Sequence, residues 1–236
     1  MKKLMLFALV LSLGTFSWAD GKKDSIERLA NAATVLDEIM AAPDKGIPQE
    51  VIDNAKCIAV VPRMIKGAFI FGGKHGRGVA TCRTANGGWS APAFISIGGG
   101  SWGLQIGAQG IDLVMTVMNE QGMQRMLSNK FQLGGDAAAT AGPVGRHASA
   151  GTDWKAGSEI LTYSRSKGLF AGISLTGAVV QQDMDSTRDI YRKKITQRSI
   201  LSGAVATPAS ATGFMAAVRR SSAVARAAEV REGSKQ

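Results

Sequence analysis

Ile97-Gly98-Gly99-Gly100-Ser101-Trp102-Gly103-Leu104-Gln105-Ile106-Gly107-Ala108-Gln109-Gly110-Ile111-Asp112 holds six glycines between Gly98 and Gly110. Its apolar residues lack helical spacing, so Trp89 to Val117 reads as two or three strands. Glycine weakens a strand and marks bulges, sharp bends or close backbone approach. The chain has 29 glycines in 236 residues, about 12% against an average near 7%. So many in one sheet predict strong curvature. The expected fold is α+β: a strongly curved antiparallel sheet or partly closed β-barrel, with N-terminal, middle and C-terminal helices.

Upstream, Ile58 to Val61, Ala68 to Phe71 and Val79 to Arg83 are three short β-type runs separated by Pro62 and glycines. Cys57 precedes them and Cys82 lies in the third. Two cysteines are too few for a disulfide scaffold or a structural zinc site. A bridge between Cys57 and Cys82 is the expected reading, subject to strand order. In a simple meander the first and third strands lie about 10 Å apart, too far for a disulfide. Downstream, strand-like runs occur at 131–141, 160–163 and 169–180.

Helical spacing appears at Ser25 to Met40, where Ile26, Leu29, Ala33, Leu36 and Met40 share a face and Asp24 or Ser25 can cap it. Pro43 ends that pattern. Pro48 opens a short helix to about Asn54. Further helices are expected at Asn119 to Ser128, Asp185 to Lys194 and Thr207 to about Ala228. No linker divides the chain, so residues 20–236 are expected to form one domain, with its core at about 30–206 and a C-terminal helix at about 208–228.

Residues 1–19 carry the three parts of an export signal. Lys2 and Lys3 precede an apolar run from Leu4 to Trp18, and Ser17-Trp18-Ala19 places small residues before a cut at Asp20. The run is shorter than the ~20 apolar residues of a membrane span. The expected location is periplasmic or secreted. Removing Lys2 and Lys3 lowers the formal charge from +10 to +8, and a pI of 9.9 suits an anionic partner. Export argues against nucleic acid, as does an aromatic content of 6%, since single-strand binders need stacking platforms.

Gly99-Gly100-Ser101-Trp102-Gly103 matches the hydrolase elbow G-x-S-x-G, with Asp136 and His147 following in order. The elbow needs a strand, a sharp turn and a helix, and Leu104 to Val117 reads as strand. No catalytic residue is therefore assigned, and a serine hydrolase using Ser101 is the least favoured reading. Gly72 to Gly78 fits neither the P-loop nor the dinucleotide pattern, so no cofactor is expected. It reads as a hairpin turn with glycines at positive φ, presenting Lys74, His75 and Arg77 as a basic finger. No ligand spacing accompanies His75 and His147, so no metal is expected.

Several blocks resemble the SYLF domain family. Tyr163-Ser164-Arg165-Ser166-Lys167-Gly168-Leu169-Phe170-Ala171-Gly172-Ile173-Ser174-Leu175, then Gly177, resembles its signature. Val61-Pro62, Phe71-Gly72-Gly73 with Gly76, Gly78 and Val79, Trp89-Ser90-Ala91-Pro92, Gly103 with Gln105, Gly107 and Asp112, Leu133-Gly134, and Gly142-Pro143-Val144-Gly145-Arg146 follow the family's order. The similarity covers about residues 30–206. It implies a non-catalytic lipid-binding module: eukaryotic relatives bind phosphoinositides and some bundle actin, while bacterial relatives are exported and described as lipid-binding. With an export signal, actin and phosphoinositides are not expected partners.

The combined expectation is a non-enzymatic envelope protein that recognises anionic phospholipid headgroups. The candidate binding residues are Arg63, Lys66, Lys74, Arg77, Arg188, Arg192, Lys193 and Lys194, each near-surface charge being worth about 1 kcal/mol. The alternative is an envelope scaffolding domain that binds another protein.

Overall fold

The computed structural model describes residues 17–42, 46–68, 71–102, 107–144, 158–166, 169–173 and 175–233. The signal segment before Ser17 and His147 lie outside them. The chain enters through α1 (Ser17–Ala41) and α2 (Gln49–Asn54), then builds β1 (Cys57–Ala68), β2 (Phe71–Cys82), β3 (Ala93–Trp102) and β4 (Gly107–Val117). There follow α3 (Glu120–Met126), β5 (Lys130–Gln132), β6 (Ala139–Ala141), β7 (Ile160–Ser166), β8 (Leu169–Gly172) and β9 (Val179–Gln182). The chain closes with α4 (Met184–Tyr191), α5 (Gln197–Leu201) and α6 (Thr212–Gly233).

The strands join in one sheet, in the order β5-β9-β3-β2-β1-β4-β7-β6, with β8 added to β7. It is strongly curled into a half-barrel, as its glycine content predicts. Three strands joined in succession and a fourth returning beside the first make β1–β4 a Greek key. The pairings are antiparallel except β6 with β7, so the sheet is mixed.

The three runs after Cys57 prove to be two long strands. The middle run is the hairpin end, and the first and third runs pair directly: Cys57 faces Cys82, and Val60 faces Val79. That register closes the Cys57–Cys82 disulfide. The expected bridge therefore forms, because the runs that carry the two cysteines are neighbours in the sheet and not the outer strands of a meander.

Gly72 to Gly78 is likewise strand rather than turn. Gly76 and Gly78 are present for close packing. A Cβ on Gly76 would lie 2.6 Å from Val61 Cγ1, and one on Gly78 would lie 2.3 Å from the carbonyl oxygen of Val60. Both glycines sit under a bulge in β1, where the register shifts between Val60 and Ile65.

Both faces of the sheet are covered, which explains the unbroken apolar run Ile58 to Val61. Cys57, Ala59, Val61 and Met64 point into the curl, with Ile95, Ile97, Leu113, Met115, Leu133 and Leu201. Ile58 and Val60 point outward with Val79, Phe94, Val114 and Tyr163, under α1 and α6. Helix α1 contributes Leu29, Ala32, Val35, Leu36 and Ile39 to this second core. Its buried stripe is therefore rotated from the expected one, and Ile26 is exposed. The helix also begins earlier than expected. Ser25 is inside it, donating its hydroxyl to the carbonyl oxygen of Gly21, rather than capping it. Asn119 does cap α3, accepting from the Gly122 N–H at 2.8 Å. Among the described residues no helix is long and apolar enough to cross a membrane.

Candidate functional site

Where the first half of α1 crosses the outer face of β1 and β2, it leaves a cleft of about 290 Å³. Two strands and two helices set its charges. Helix α1 supplies Asp24, Glu27 and Arg28; β1 supplies Arg63 and Ile65; β2 supplies His75 and Arg77. Asp183, the N-cap of α4, reaches in from the side.

Arg28 is the anchor. Its guanidinium donates to Asp183 Oδ2 at 3.2 Å and to Ser186 Oγ at 2.8 Å. It also lies 5.8 Å from the Phe94 ring centroid, a cation–π approach. Burial lowers its pKa from the ordinary arginine value, and the Asp183 charge opposes that shift. Asp183 does more than cap α4. Arg77 Nε lies 3.8 Å from the same oxygen, so two arginines share one carboxylate.

Arg63 follows Pro62 within the β1 bulge and holds a left-handed φ of 50°, a conformation costly to any residue with a Cβ. Its N–H donates to Asp112 Oδ1 at 3.0 Å. Its side chain is 71% exposed and meets Glu27 at 3.1 Å. Asp112 Oδ2 accepts from Arg165 Nε and Nη2, at 3.0 and 2.7 Å, and Arg165 also pairs with Glu38 of α1. Burial lowers the Arg165 pKa, but the bonds to Asp112 and Glu38 outweigh it and raise it overall.

The predicted basic finger does not form as one surface. Lys74 and Arg77 are three apart in a regular strand, so they point to opposite faces. Arg77 and His75 share the outer face with Ile65. Lys74 belongs to the inner face, in register with Lys66 of β1; the Lys66 side chain lies outside the described set. The remaining candidates sit at the far end of α4. Arg188 pairs with Asp185 at 3.3 Å, Arg192 is the left-handed C-cap of α4 at φ 59°, and Lys193 and Lys194 are exposed. The eight residues thus divide into three places.

Arg28 and Arg165 were not picked out as site residues. Arg28 had a readable signal, since it adjoins Leu29 on the inward side of a helix whose other inward positions are apolar or small. The role of Arg165 depends on a partner 53 residues away, which no local pattern reveals.

Ser101 lies within β3, paired with Gly72 of β2. The strand–turn–helix that the elbow mechanism requires does not surround it. Asp136 spends Oδ2 on the Gln132 N–H at 2.8 Å in a local turn.

A family model described as "Ysc84: Las17-binding protein actin regulator" matches residues 98–221, just over half of the chain. Protein YSC84 of Saccharomyces cerevisiae is 35% identical over 171 residues, covering 71% of this chain and 36% of that protein. LAS seventeen-binding protein 3 of the same species is 36% identical over 169 residues, covering 70% and 36%. The human SH3 domain-containing YSC84-like protein 1 is 34% identical over 170 residues, covering 72% and 49%. This chain thus spans about half or less of the relatives it matches.

These findings correct the expected partner. Anionic phospholipid was named and actin set aside, whereas the family is described as an actin regulator and its members are named for binding a protein. The structure supplies a physical reason. Arg63, Arg77 and Arg188 each face a carboxylate of the chain itself, so three of the eight expected headgroup residues already have an acid partner within the fold.

Proposed function

The chain belongs to the Ysc84 (SYLF) family, and from that premise we propose that it is a non-catalytic protein-binding module acting on a component of the actin-regulating machinery. The family description carries this reading. The site geometry supports it, because its polar groups act as struts. Arg28–Asp183, Arg63–Glu27, Arg165–Glu38 and Arg220–Asp37 tie α1 to four other parts of the fold. They hold a rigid surface, as recognition requires.

Co-sedimentation of the full chain with filamentous actin tests the reading. Saturable pelleting that weakens with salt is the expected result. No pelleting at any salt concentration, together with no retention of actin regulators on the immobilised chain, would overturn it.

We propose separately that residues 1–19 direct export and that the domain works outside the cytoplasm of the cell that makes it. The Cys57–Cys82 bridge supports this, because disulfides persist in oxidising compartments. An exported chain meets actin-regulating proteins only beyond its own cytoplasm, so location and partner need separate tests. Cell fractionation and the intact mass of the purified protein decide location. Full-length mass and a cytosolic fraction would sink the export proposal.

A further inference from the structure

We propose that the end of α4 and the start of α1 together form the docking surface for an acidic segment of the protein partner, an inference that rests on the protein-binding reading above. The two elements meet at Gly21, where a Cβ would lie 2.7 Å from Asp189 Oδ2. Glycine permits that approach. It brings Lys22 and Lys23 of α1, both exposed, to the same end of the molecule as the exposed run Arg192, Lys193 and Lys194. With Arg188, six cations stand against three carboxylates, Asp24, Asp185 and Asp189, among the described side chains there. Arg188 is already paired with Asp185. The surplus is positive and is assembled from elements more than 150 residues apart, so it is a product of the fold rather than a local charge run.

Arg192 adds an independent sign. It caps α4 at φ 59° and ψ 16°, the left-handed position that glycine commonly takes because it lacks a Cβ. The cap's N–H bonds to the carbonyl oxygen of Arg188 at 2.9 Å, and glycine would make that bond without strain. A cation near a helix C-terminus does favour the dipole, but Lys193 and Lys194 follow immediately and can serve that end. Strained backbone under an exposed side chain points outward, to a partner. The charge surplus requires that partner to present carboxylates.

The test compares the wild-type full chain with Lys193→Glu/Lys194→Glu, with Arg192→Gly, and with Arg219→Glu on the exposed face of α6 as control. Filamentous actin and poly-L-glutamate are the probes. The double variant should bind both roughly tenfold or more weakly, and the control should match wild type. Arg192→Gly should melt at a higher temperature than wild type yet bind more weakly. If wild type pellets with actin and the double variant pellets equally, the patch is wrong and the protein-binding reading stands. If wild type neither pellets with actin nor retains actin regulators, that reading fails, and equal poly-L-glutamate retention by wild type and double variant overturns the patch as well. Loss of binding to phosphatidylglycerol vesicles with actin pelleting unchanged would make the surface a membrane contact and overturn the proposal. A lower melting temperature for Arg192→Gly would remove the strain argument.

Discussion

The carboxylate of Asp112 accepts the backbone N–H of Arg63 at 3.0 Å and so holds that residue in its left-handed conformation. Its other oxygen takes two bonds from Arg165. One side chain on β4 therefore clamps the bulge of β1 on one flank and β7 on the other. Asp112→Ala should cost about 2–3 kcal/mol, because it removes charge-assisted bonds and leaves a partly buried arginine short of its acceptor. Arg63→Gly should recover part of that loss by relieving the left-handed backbone. A double-mutant cycle by urea unfolding measures the coupling, and strict additivity would show that the clamp is not cooperative.

The glycines of β2 divide by what lies beneath them. Gly76→Ala and Gly78→Ala must force the β1 bulge outward, at about 1–3 kcal/mol each. Gly73→Ala meets nothing within 4 Å among the described residues. It should be neutral or slightly stabilising, since glycine weakens a strand interior. Thermal melts of the three variants distinguish packing glycines from permissive ones; equal losses would contradict the packing account.

The bridge between Cys57 and Cys82 closes a loop with a sequence separation of 25. Loop-closure entropy puts its contribution at ~3.5 kcal/mol. Cys57→Ser/Cys82→Ser should lower the unfolding free energy by about that amount and leave the α4 surface competent to bind. Denaturation of the oxidised and reduced chain reads the first quantity, and pelleting reads the second.

Tyr163 is buried, and its hydroxyl has no hydrogen-bond partner among the described residues. Burial raises its pKa well above the phenol's usual value of 10.0. A raised folded pKa gives stability that is complete below pH 10 and lost as pH rises through the folded value. Stability should therefore fall above about pH 10, with Tyr191, also raised by burial, contributing to the same decline. Tyr163→Phe should reduce the alkaline slope and leave neutral-pH stability unchanged or higher by about 1 kcal/mol. An unchanged slope would mean that Tyr163 does not couple to unfolding.

Ser101 lies within an antiparallel strand, opposite Gly72. The folded chain should show no labelling by a fluorophosphonate probe, and Ser101→Ala should bind actin as wild type does. Stoichiometric labelling at Ser101 would reopen the hydrolase reading.

The parts of the fold that were legible from sequence are those that local chemistry controls. Asn119 caps its helix through its own side chain, Pro48 starts a short one, and the glycines between Gly98 and Gly110 signal a curled sheet. What escaped depended on residues far apart in the chain. The stretch Gly72 to Gly78 reads locally as a turn because nothing in it shows that Val61 and Met64 press from the next strand. The stripe on α1 came out rotated because helical spacing does not say which neighbour the helix will meet. The pairing of Cys57 with Cys82 was expected, but it waited on strand order, which the direct pairing of β1 with β2 supplies.

The candidate site followed the same division. Composition showed a basic chain, and the blocks around Tyr163 to Leu175 identified its family. Residue by residue, the expected binding set divided: Lys74 and Arg77 separate onto opposite faces by strand parity, Arg63, Arg77 and Arg188 each face an acid supplied by the fold, and Arg192, Lys193 and Lys194 stay together at the end of α4.

By itself, the sequence determined the α+β class, the curled glycine-rich sheet and the family, because these rest on periodicity, backbone freedom and linear motifs. Only the tertiary structure decided which charges neutralise one another and which accumulate. Coulomb energies depend on distance in space, and contacts such as Arg28–Asp183, Arg63–Asp112 and Gly21–Asp189 join residues far apart in the chain.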